Sequence, residues 1–98
     1  MSYPVRYSNR AYAEYESILQ YVSDNFGILK AFEVDAHFDG IIKQIASSPE
    51  MYPSSPKYRE IRRCVISRQT SLYYRFSEEF VELISFRANR MNSDSFDF

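Results

Sequence analysis

Two apolar stripes at helical spacing, separated by little more than one glycine, limit this chain more than any other feature. Ala11, Tyr15, Ile18, Leu19, Val22 and Phe26 recur every three or four residues, and so do Ala31, Val34, Phe38, Ile41, Ile42 and Ile45. Each set predicts an amphipathic helix, the first of about four turns. Ser8 or Asn9 is placed to cap the first helix, and Gly27 sits where a left-handed residue would end it. With one or two residues between them, the helices must fold back as a hairpin, and both stripes face the same side. The second helix stops at Ser47-Ser48-Pro49, because proline disfavours helical dihedrals in the residue before it. Gly40 costs that helix about 1 kcal/mol relative to alanine. A close approach of the partner helix is the expected reason for it.

The rest of the chain changes period. Tyr3, Val5 and Tyr7 alternate with Pro4 and Arg6, a short strand over Ser2–Tyr7 with Pro4 suited to an edge. Residues 47–58 hold three prolines and four serines and read as a loop. Strands are then expected over Arg59–Ile66, Gln69–Phe76 and Phe80–Phe86, the middle one with Thr70, Leu72, Tyr74 and Phe76 on one face. The Ser67-Arg68 and Ser77-Glu78-Glu79 joints are short enough for hairpins. The expected fold is α+β in the order β-α-α-β-β-β, a helical hairpin packed on a mainly antiparallel four-stranded sheet. The sheet's other face would present Arg62 or Arg63, Arg75 and neighbouring tyrosines. The tail from Ala88 is polar except for Met91, Phe96 and Phe98.

Composition narrows the class. Ninety-eight residues have room for one core, so 1–98 is read as a single domain, and 9 tyrosines and 8 phenylalanines supply much of its apolar area. No apolar run reaches the roughly 18 residues of a membrane span. A lone cysteine, Cys64, makes no internal disulfide, which points to a reducing cytoplasm. The net charge of −1 gives no bulk signal for a polyanion, but it is unevenly placed. Residues 59–98 hold seven arginines and no lysine, and within 59–75 Arg59, Arg62, Arg63, Arg68 and Arg75 face Glu60 alone.

The chemistry available is narrow. There is no glycine-rich phosphate loop and no Cys/His cluster, so no cofactor and no metal site is expected. His37 falls in a helix beside the apolar stripe and reads as a boundary side chain. Cys64 reads as a small hydrophobe in a strand. Glu78 and Glu79 read as solvated turn residues. Tyr74 falls with Leu72 and Phe76 on the core side, whereas Tyr73 falls with Arg75 and is placed to meet a ligand or partner. The arginines are the remaining constellation, and an all-Arg set suits bidentate contact with phosphate or carboxylate. Pairing with Glu60 and Glu82 on a solvated strand face is the competing role, strongest for Arg59 and Arg68.

Several local motifs, in order and over almost the full length, carry a resemblance. They are Ser8 and Ala11 before Ile18-Leu19-Gln20-Tyr21-Val22, then Phe26-Gly27 with Ala31, then Ser48-Pro49. Ile61-Arg62-Arg63-Cys64, Leu72-Tyr73-Tyr74-Arg75-Phe76, Val81-Glu82-Leu83-Ile84 and a closing Asn89-Arg90 follow. The chain resembles the RelE/ParE superfamily of toxins from type II toxin–antitoxin modules, also called plasmid-stabilisation proteins. The resemblance implies a compact β-α-α-β-β-β toxin made with an antitoxin that wraps the sheet and the helical hairpin. RelE-like members cut mRNA on the ribosome without a metal, with basic side chains on the sheet stabilising the scissile phosphate. ParE-like members poison DNA gyrase.

Carried over by residue, Arg62 matches the family's second-strand arginine and Arg90 the arginine after the last strand, with Arg87 close enough to join them. These three are the catalytic candidates if the chain is a nuclease, and Arg63, Tyr73 and Arg75 are candidates for target or antitoxin contact. Residues 88–98 offer only phenylalanine where many nuclease members present a histidine or tyrosine, and the chain lacks the basic excess that ribosome binding uses. The expectation is therefore a ParE-like toxin that arrests growth by binding a target such as DNA gyrase. The alternatives are a RelE-like ribosome-dependent endoribonuclease and an inactive homologue that only binds antitoxin. Expected partners are the cognate antitoxin, gyrase or ribosome-bound mRNA, and a homodimer or hetero-oligomer, with no membrane.

Overall fold

The computed structural model describes residues 2–89. The chain forms β1 (Val5–Tyr7), α1 (Asn9–Phe26), α2 (Ile28–Ser47), a 3-10 turn (Pro49–Met51), β2 (Arg62–Val65), β3 (Thr70–Phe76) and β4 (Val81–Ala88). The expected α+β order is present. The sheet runs β1-β4-β3-β2, with β1 parallel to β4 and the other two pairings antiparallel.

The start of α1 and the hairpin turn that ends it follow from local chemistry. Ser8 caps α1 by accepting the Ala11 amide at 2.9 Å, which satisfies one of the orphan donors of the first turn. Gly27 stands at φ 94° and ψ 160°, a conformation almost closed to other residues, and lets α2 begin immediately. Gly40 differs from its expected role. It is exposed, and a Cβ there would meet nothing within 4 Å, so no close helix approach requires it.

The stripes of the two helices cover one face of the sheet. Phe38, Ile42 and Ile45 of α2 and Ala11 of α1 pack against Cys64, Leu72, Tyr74, Val81, Leu83 and Phe86. Phe38 and Phe86 stack at 6.1 Å with an interplanar angle of 5°, and Tyr15 tilts against both. Burying such rings is the main favourable contribution a core this small can draw on. Tyr15 also joins the helices, since its hydroxyl donates to Asp35.

Three strand boundaries differ from expectation by two residues or more, each for a reason of hydrogen bonding, and three others by a single residue. β1 begins only at Val5, because the Tyr3 amide is taken by Ala46 O at 2.8 Å and Pro4 has no amide to give. β2 begins at Arg62 rather than Arg59. The preceding segment turns on itself, with the Ile61 amide bonded to Tyr58 O and the Ser55 amide to Ile61 O. β4 continues to Ala88 through a register shift: Tyr74 pairs with Leu83, but Tyr73 pairs with Ser85, so β4 bulges between them.

Candidate functional site

Strand register fixes which arginines share the face turned away from the helices. Cys64, Leu72 and Phe86 align across β2, β3 and β4 and lie in the core, so their neighbours Val65, Ser71 and Arg87 take the opposite face. Arg63 aligns with Tyr73 on that face, and Arg6, Glu82 and Arg75 form a third row. Four arginines, Arg6, Arg63, Arg75 and Arg87, are thus distributed over one sheet face with Glu82 among them.

Each has a distinct setting. Arg75 is exposed and its Nε donates to Glu82 at 2.7 Å, the pairing anticipated for a solvated strand face. Arg6 stacks its guanidinium on the Phe80 ring at 4.2 Å, a cation–π contact that holds the plane of the group. The Arg63 Nε is buried without a hydrogen-bond partner among the described residues. Arg87 is half-buried, and its Nε donates to Ser85 Oγ at 2.6 Å.

Two candidates are placed otherwise than the sequence suggests. Tyr73 does lie on the outer face, yet it is 1% exposed, because Ile61 and Tyr58 from the segment before β2 close over it and Ile84 packs beside it. Its ring therefore fills a small second core in this chain instead of facing a partner. Arg62 takes the other face with Tyr74, its neighbour in register. Its Nη1 donates to Tyr52 O at 2.5 Å and Glu50 O at 3.0 Å, and the guanidinium lies 5.5 Å over the Phe76 ring. Arg62 thus anchors the 3-10 turn to the sheet and is remote from the outer arginine face. Arg90 lies outside the described residues.

The remaining side chains singled out by sequence have structural roles. His37 bonds through Nε2 to Ile66 O at 2.9 Å, at the boundary between α2 and the sheet. Cys64 is fully buried, and burial pushes its thiol up against the opposing pull of a Tyr52 hydrogen bond. Glu78 and Glu79 are exposed in their turn. Tyr74 donates to Pro49 O at 2.6 Å, and burial raises its hydroxyl well above the ordinary phenol value while the Arg62 charge opposes the rise. Among the described residues no group of three metal-ligating side chains occurs.

Asn89, part of the closing Asn-Arg motif but given no role by it, and Glu14, which no motif marks, organise the site. Asn89 ties the β2–β3 turn to β4. Its amide nitrogen donates to Ser67 O and Arg68 O, both at 2.8 Å, its oxygen accepts from Ser71 Oγ, and its backbone amide bonds Gln69 O. Glu14 of α1 accepts from Ser85 Oγ at 2.9 Å and from the Phe86 amide at 3.1 Å. An interrupted apolar stripe does mark Glu14 as inward-leaning, since it is flanked by Ala11, Tyr15 and Ile18, but nothing local marks its partner.

A different kind of surface lies on the helical hairpin. Tyr21, Phe26, Ile28, Leu29 and Phe32 cluster around its tip, and each is more than half exposed, Leu29 at 77%. A shallow groove between the helices continues from them past Leu19 to Glu16 and Asp35. So much contiguous apolar surface on a small domain is the usual mark of an interaction site.

The arrangement of strands and helices has close structural counterparts. The toxin–antitoxin protein of the chromosomal ParDE system from P. aeruginosa superposes with a TM-score of 0.74 at 13% identity, covering 89% of this chain and 96% of its own. The YoeB dimer structure from Staphylococcus aureus gives 0.65 at 12% identity, with 91% and 99% covered. The E. coli DinJ-YafQ toxin-antitoxin complex gives 0.60 at 6% identity, with 92% and 96% covered. The chain has the RelE/ParE toxin fold. At the level of sequence, no family model and no curated protein matches it. Identities this low carry the RelE/ParE-like architecture alone, and the side chains above are this chain's own.

Proposed function

We propose that this chain is the toxin of a type II toxin–antitoxin pair, ParE-like in acting by binding a protein target such as DNA gyrase, and neutralised by a cognate antitoxin. The observation that carries the reading is the conjunction of a full-length RelE/ParE-like fold with an uncovered apolar hairpin tip and an arginine-bearing sheet face. Arg6, Arg63, Arg75 and Arg87 are the residues proposed to meet an acidic surface of the target, and the hairpin tip is the surface proposed for the antitoxin. Arginines keep their protons at neutral pH and serve as fixed cations. Such a face suits recognition of carboxylates directly, whereas a nuclease would need a proton-transfer partner in addition.

Purified chain should inhibit gyrase supercoiling and leave ribosome-bound mRNA intact in an in vitro translation assay read by primer extension. Codon-specific mRNA cleavage would replace this reading with the ribosome-dependent nuclease one, and expression without growth arrest would leave an inactive homologue that binds antitoxin. Leu29→Ser with Phe32→Ser tests the antitoxin side. Both positions are exposed, so thermal stability should change by no more than about 0.5 kcal/mol. Co-purification with the cognate antitoxin should be lost.

A further inference from the structure

We propose that Glu14 is a positioning residue that fixes the direction of the Arg87 guanidinium through Ser85, an inference that rests on the reading of Arg87 as a target-contacting arginine. The three side chains form one continuous path. Arg87 Nε donates to Ser85 Oγ at 2.6 Å, and Ser85 Oγ donates in turn to Glu14 Oε1 at 2.9 Å. A hydroxyl can accept from a cation and donate to an anion at once, so it couples the two charges while holding them apart. Ser85 is fully buried, which keeps water from competing for either bond.

The β4 bulge and the end of β1 together create the device. β1 stops pairing at Tyr7, opposite Leu83, so the following stretch of β4 has no strand on that side. Ser8 bridges the gap, its amide bonded to Leu83 O and its hydroxyl donating to Ile84 O at 2.8 Å, while that same oxygen caps α1. The helix thereby starts at a fixed point on the bulge, and its second turn brings Glu14 to the Phe86 amide at 3.1 Å. One carboxylate oxygen accepts both the backbone and the serine donor. Fixing the Nε–H of a planar guanidinium sets the plane of the whole fork, which is what bidentate recognition of an anionic group requires.

The test separates the anchor from the function. In the full chain, the Arg87 Nε–H resonance in a proton–nitrogen NMR spectrum should shift in Ser85→Ala and Glu14→Gln and return toward its original position in Ser85→Thr. Glu14→Gln keeps an oxygen for the Phe86 amide, and Ser85→Ala keeps the Glu14 bond to that amide, so both should fold. Growth arrest, titrated by inducer, should weaken about tenfold in Arg87→Ala and by a smaller factor in Glu14→Gln. The double variant should be no weaker than Arg87→Ala alone, because Glu14→Gln keeps the Phe86 bond and changes arrest only through the Arg87 side chain. An Nε–H resonance unmoved by either variant overturns the anchor, as does a double variant weakened by the product of the single effects. Arrest unchanged in Arg87→Ala, with the resonance shifts present, overturns the proposal at the other end, by removing the role of Arg87 itself.

Discussion

Arg62 shows how far a residue's role depends on which face of a strand it occupies. The two adjacent arginines of β2 are indistinguishable by composition, and alternation guarantees only that one of them faces inward. The register with Tyr74 makes that one Arg62, where two backbone carbonyls around the 3-10 turn receive its Nη1. Truncating it removes charge-assisted hydrogen bonds and leaves the part-buried Tyr52 carbonyl without its donor. Arg62→Ala is therefore expected to lower stability by about 1–3 kcal/mol. Urea denaturation checks this, and a change within about 0.5 kcal/mol would return Arg62 to the list of surface contacts. Tyr73 teaches the same lesson in reverse. Alternation places it correctly on the outer face, but its burial depends on Ile61 and Tyr58, which fold over from a segment whose prolines and serines mark only a loop. The roles of Asn89 and Glu14 were illegible for a related reason, since their partners lie 18 to 72 residues away and no local pattern announces those partners.

At the scale of elements, periodicity was sufficient for type and order and insufficient for ends. Both helices, the cap at Ser8 and the break at Gly27 follow from residues within a turn of each feature. Strand ends do not, because a strand stops where its partner's hydrogen bonds stop. Neither the parallel pairing of β1 with β4 nor the diversion of the Tyr3 amide to α2 is a property of residues 2–7 alone. The two glycines of the hairpin provide a paired test with opposite signs. Gly27→Ala forces a side chain into a conformation that alanine rarely adopts and should destabilise by about 1–3 kcal/mol. Gly40→Ala sits in an exposed helix interior with open space around it, and should stabilise by up to about 1 kcal/mol. Thermal melts of the two variants should move in opposite directions. A loss in Gly40→Ala would reinstate the close helix approach that its sequence position suggested.

Across the whole molecule the tyrosines tie the layers together, and this makes stability sensitive to alkali. Tyr15 links α1 to α2 and the sheet, Tyr74 links β3 to the 3-10 turn, and Tyr7 sits between β1 and the helices. Burial raises the hydroxyl of each above the ordinary value of 10. The Asp35 hydrogen bond and charge add to the rise at Tyr15, and the Asp39 and Asp35 charges add to it at Tyr7. The unfolded chain then releases protons near pH 10 that the folded chain still holds, so the unfolded state gains as the pH climbs. Stability should be level up to about pH 8, begin to fall near pH 9 as the raised Cys64 thiol adds the same effect, and fall further from pH 10 upward. Tyr15→Phe forfeits the bond to Asp35 at neutral pH, yet it removes one of the protons in question, so its alkaline decline should be shallower than that of the original chain. Denaturation midpoints measured from pH 8 to pH 11 decide the matter. Parallel slopes for the two proteins would mean that Tyr15 ionises as readily when folded as when unfolded.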